Sequence, residues 1–75
     1  MSKLKDYPEC IKERYGCKVG WRWYATEDEA KTAGKAARFN AQVLAHQGYD
    51  FGYQCPGSVH PATLDGKEVF RVCVP

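Results

Sequence analysis

No apolar run in this 75-residue chain approaches the ~18 residues that a membrane-spanning helix needs. No CxxC pair exists either. The four cysteines, Cys10, Cys17, Cys55 and Cys73, match no zinc-binding spacing. Together with His46 and His60 they supply enough donors for a tetrahedral ion, but small buried thiols are the plainer reading and no metal is expected. No phosphate-cradling loop is present, because the seven glycines are scattered. Nor is there a strong excess of one charge. Eleven basic and nine acidic residues leave a net charge of +2, whereas a dedicated nucleic-acid binder of this size is usually far more basic. The start of the chain, Met1-Ser2-Lys3-Leu4-Lys5-Asp6, turns polar at once and does not read as a secretory leader. These absences lead us to expect a soluble cytoplasmic protein with free thiols and no cofactor.

Catalytic constellations are also missing. Ser58, His60 and Asp65 fall on one stretch containing Gly and Pro, without the rigid elbow and oriented base that a nucleophilic serine needs. Glu27, Asp28 and Glu29 cluster where negative charge complements a helix dipole, and need no acid–base role. The expectation is a non-enzymatic protein.

What is there is a helix with both ends written into the chain. Thr26-Glu27-Asp28-Glu29 is a capping box, and Gly48 supplies a left-handed stop. Between them a small-residue stripe, Ala30, Ala33, Gly34, Ala37, Ala41, Leu44 and Ala45, recurs at helical spacing. Aromatics compensate for size: a domain this small buries only about 60% of its unfolded surface, and two Trp, five Tyr and three Phe carry much of that burial.

Alternation predicts three strands: Lys18–Ala25, Tyr49–Cys55 and Glu68–Val74. In the first, Val19, Trp21, Trp23 and Ala25 are assigned to the helix side, large residues against small, and Arg22 and Tyr24 to the other. Phe70, Val72 and Val74 share one face of the last strand and Arg71 lies on the other. Pro8 to Tyr15 reads as a short helix stopped by Gly16. Residues 56–67 read as a long connection, with turns at Pro56-Gly57 and Asp65-Gly66. The expected fold is therefore α+β in one domain over residues 1–75: residues 1–6 frayed, a helix over 8–15, and a split β-α-β-β core over 18–74. Its sheet is three-stranded and mixed, in the order 1-3-2, with the long helix on one face.

Two surfaces are candidates for function. Ala36, Phe39 and Val43, with Thr32, form a second apolar patch on the helix, suited to self-association unless the N-terminal helix covers it through Ile11 and Tyr15. Arg22, Tyr24 and Arg71 are assigned to the open sheet face, where Arg and Tyr offer stacking for a single-stranded nucleic acid. The leading expectation is a protein-interaction or accessory module, of the kind small phage genomes encode. It is expected to form a homodimer and to bind an unidentified protein through Phe39, Val43, Ala36, Arg22 and Tyr24. Single-stranded nucleic-acid binding through Arg22, Tyr24 and Arg71 is the alternative.

Overall fold

The computed structural model describes residues 4–16, 19–51 and 55–75. Strands β1 (Lys12–Tyr15) and β2 (Gly20–Tyr24) precede helix α1 (Glu27–His46), and β3 (Val59–Leu64) and β4 (Lys67–Val74) follow it. The four strands form one sheet in the order β1-β2-β4-β3, and every neighbouring pair is antiparallel. The helix covers one face.

This overturns the expected three-stranded mixed sheet of order 1-3-2 in two places. First, residues 8–15 form no helix. Residues 12–15 pair with Gly20–Trp23, and Ile11 and Tyr15 are exposed. Pro8 and Gly16 bracket only about two helical turns, too few to be stable alone. A strand next to β2 satisfies the same backbone groups with partners already in place. Second, the strand after the helix is not Tyr49–Cys55. Tyr49, Asp50, Phe51 and Cys55 lie outside any strand, and residues 52–54 fall outside the described set. The strand is β3, inside the stretch read as a long connection. Pro61 hid it, since proline is excluded from strand interiors but tolerated on an edge, where β3 lies.

The hairpin joining β3 to β4 follows from two residues. Leu64 pairs with Lys67, so Asp65 and Gly66 alone make the loop, with φ of 52° and 78°. Positive φ at both positions is the type I′ requirement, and Asp-Gly meets it.

Both helix ends carry the expected caps, with the Glu29 carboxylate taking the Thr26 hydroxyl rather than the Thr26 N–H. The Thr26 hydroxyl accepts from the Glu29 N–H at 3.3 Å and donates to Glu29 Oε1 at 2.9 Å. At the other end Gly48 has φ of 90°; its N–H donates to the Ala45 carbonyl and the Tyr49 N–H to that of Leu44, a Schellman motif. The core is Tyr24, Ala30, Ala33, Ala37, Val72 and Val74, with Phe70, Val59, Tyr7 and Cys10 packed against it. The helix lies close at Gly34, where a Cβ would meet the Gly57 carbonyl oxygen at 2.8 Å.

The N-terminal segment straps across the helix side of the molecule. Asn40, 2% exposed, accepts from the Lys5 N–H at 2.7 Å and donates to both the Lys5 carbonyl and the Tyr7 hydroxyl at 2.9 Å. The Lys5 ammonium lies 4.6 Å from the centre of the Phe39 ring.

Candidate nucleic-acid interface

Strand parity assigns each sheet residue to a face, and the core identifies which face is the helix's. Tyr24, Phe70, Val72 and Val59 pack with the helix. Arg22 shares that side, since it sits between the Pro8 carbonyl (3.4 Å), the Cys10 sulfur (3.8 Å), the Tyr15 hydroxyl (3.4 Å) and the Glu13 carboxylate (3.3 Å). Its guanidinium stacks 4.8 Å from the centre of the Tyr7 ring, and its Nε is buried with no hydrogen-bond partner. Burial opposes the Arg22 charge, but bonding to the Tyr15 and Tyr24 hydroxyls outweighs it, and the guanidinium is held charged beyond its ordinary range. Tyr24 is fully buried and donates to the Pro8 carbonyl at 3.0 Å. Burial raises its phenol, and that of Tyr7, above the usual tyrosine range.

Arg22 and Tyr24 are thus interior residues beneath the N-terminal strap, not members of an open face. The phase assumed for β2 was inverted. Its opposite face carries Trp21 and Trp23, both half-buried, and these point away from the helix. The size-matching argument misled because β2 has aromatics on both sides, and because Arg22 buries its stem while its head finds partners on the strap. Arg71 keeps its assigned face.

The register then assembles the open face. Lys12 pairs with Trp23, Trp23 with Arg71 and Arg71 with His60, giving one continuous row across all four strands. Arg14, Trp21 and Cys73 form the next row. The Arg71 guanidinium lies 4.8 Å from the centre of the Trp21 ring, and the Lys12 ammonium 5.4 Å from that of Trp23. The His60 ring stands 6.1 Å from Trp21, tilted by 57°. Lys12, Arg14, Arg71 and His60 are exposed, whereas Cys73 is 1% exposed and forms the floor. Burial pushes the Cys73 thiol above its ordinary range, which makes it a structural rather than a reactive group. No strand position of this face carries a carboxylate, because Glu13 and Glu68 lie on the other parity. A nearly neutral chain has sorted its charge.

Of the helix patch, Ala36 is buried, and Phe39 and Val43 are half-buried. The structure does not bring them together with Arg22 and Tyr24 in one exposed surface. Trp21, Trp23, Lys12, Arg14 and His60 were missed. The Asp65-Gly66 turn, flanked by alternating residues, was the available signal: it implies β3, and with it the row through His60. Among the described residues no three His, Cys, Asp or Glu side chains gather to hold a metal ion. No described helix is long and apolar enough to cross a membrane.

The fold and face define a small α+β protein with one helix-covered and one cation–aromatic sheet surface. No protein-family model matches the chain, and no curated protein or solved structure matches it.

Proposed function

We propose that this protein binds single-stranded nucleic acid on its open sheet face and acts in the cytoplasm without catalysing a reaction. One observation carries the reading: both tryptophans of the chain lie on the same face as Lys12, Arg14, Arg71 and His60, on a surface whose strand positions carry no carboxylate. Indoles offer π-faces on which any base stacks, and the cations beside them meet phosphates. A cation already resting on each ring can exchange that contact for a phosphate when a base arrives.

Self-association has less behind it. Lys5 lies over Phe39, and the strap occupies the helix flank beside it.

Tryptophan emission tests the reading directly, since both indoles report from the face. Single-stranded oligonucleotide at low salt should quench it, with affinity falling as salt rises. Trp23→Ala should cost about 1–3 kcal/mol of binding, the usual worth of one stacked base. Lys12→Ala should lower the salt slope by roughly 0.7. An unchanged emission spectrum with every oligonucleotide at low salt would sink the proposal.

A further inference from the structure

Resting on that reading, we infer that the face takes a short, unpaired strand lying across the β-strands and tolerates its sequence. Three features of the face lead there.

The first is spacing. Trp21 and Trp23 are two residues apart on one strand, so their attachment points are about 6.7 Å apart. That is roughly twice the ~3.4 Å rise of a stacked nucleic-acid strand. Two bases seated on the two rings, one in the row through Trp23 and one in the row beside it, are therefore unstacked from each other. In a duplex the base faces are already occupied by the adjoining pairs, so these indoles have nothing to accept.

The second is width. The row Lys12–Trp23–Arg71–His60 crosses all four strands. Its three gaps of about 4.8 Å span roughly 14 Å. Even at the ~3.4 Å rise of a stacked strand this accommodates at most about four nucleotides, and fewer where the bases are unstacked. Cations stand at the Lys12 end and in the middle at Arg71, so a backbone following the row meets positive charge along its path.

The third is what the face cannot read. None of its strand positions is Asn, Gln, Asp, Glu, Ser or Thr. Asn and Gln read adenine edges and Asp and Glu read cytosine edges, so the face lacks those readers; its Arg and Lys side chains can read guanine, while stacking and phosphate contacts carry little sequence information. With tryptophan and cations dominant, the contact is stacking plus charge.

The test titrates the full chain at low salt, by tryptophan emission, with thymidylate dimers, tetramers and octamers. Deoxyadenylate tetramers, a mixed-sequence strand and the duplex of that strand complete the set. The expected result is saturable quenching by tetramers, with affinities within about fivefold of one another. Dimers should bind at least about tenfold more weakly, each leaving part of the row unfilled. Octamers should gain only about fivefold over tetramers, the number of four-nucleotide registers they offer. Tighter binding to the duplex, a preference above about a hundredfold for one sequence, or a much larger octamer gain would overturn this inference while leaving nucleic-acid binding standing. Silence with every probe would overturn the underlying proposal as well.

Discussion

Single residues do more than one job in a chain this short. Gly34 and Gly57 permit a close approach of the helix to the turn before β3. Gly34→Ala would drive a methyl to 2.8 Å from the Gly57 carbonyl oxygen, and backbone cannot step aside as a side chain can. The expected loss is about 1–3 kcal/mol, the usual cost of overpacking, read as a lower urea midpoint. Alanine at helix positions normally stabilises relative to glycine, so a raised midpoint would show that the contact is looser than described. Arg22 shows the same economy. Its stem packs in the interior while its head ties Pro8, Cys10, Glu13 and Tyr15 together.

At the scale of elements, the N-terminal strap decides which surfaces remain available. It is held at the helix by Asn40, a buried amide with three hydrogen bonds to Lys5 and Tyr7. Asn40→Ala should free the segment before β1, costing about 1–3 kcal/mol as buried partners lose their bonds. It should also speed proteolysis at Lys5 relative to cleavage in the helix. Equal protection of both sites would mean that packing at Tyr7, rather than Asn40, anchors the strap. Because the strap lies on the helix side, its release should leave binding by Trp21 and Trp23 unchanged. The β3–β4 hairpin is the complementary case, in which a local signal is enough: Asp65 and Gly66 adopt the positive φ values that close a two-residue loop.

For the whole molecule, burial makes stability depend on alkaline pH. Tyr7 and Tyr24 have phenols raised above the ordinary 10.0, in each case chiefly by burial. A group raised in the folded state supports folding fully below its unfolded pKa and loses that support as pH rises through its folded value. Stability should therefore fall progressively above about pH 9, first through Cys73, whose thiol is also raised by burial, and then through the two tyrosines. Tyr24→Phe should shrink the fall, at the cost of the bond to the Pro8 carbonyl. Urea midpoints across that range check it; an equal fall in the variant would assign the loss to other groups. The whole molecule also sorts its charge, since the near-balance of eleven basic and nine acidic residues conceals a sheet face whose strand positions carry only basic charge.

The helix, with its Thr26 cap and Gly48 stop, was legible in the chain because caps are local chemistry, settled by side chains within a few residues of the backbone they satisfy. The Asp65-Gly66 turn, the alternation of the last strand and the outward place of Arg71 were legible for the same reason. The N-terminal strand was not: the eight residues from Pro8 to Tyr15 have no strong preference of their own, and pairing with β2 chose for them. Nor was the phase of β2, where Trp21 and Trp23 on one side and Tyr24 on the other gave both faces an apolar claim. The helix, packing Ala30, Ala33 and Ala37 with Tyr24, and the N-terminal strap, receiving Arg22 and the Tyr24 hydroxyl, made that side the interior. That choice turned the tryptophans outward, and with them the face on which the proposed function rests.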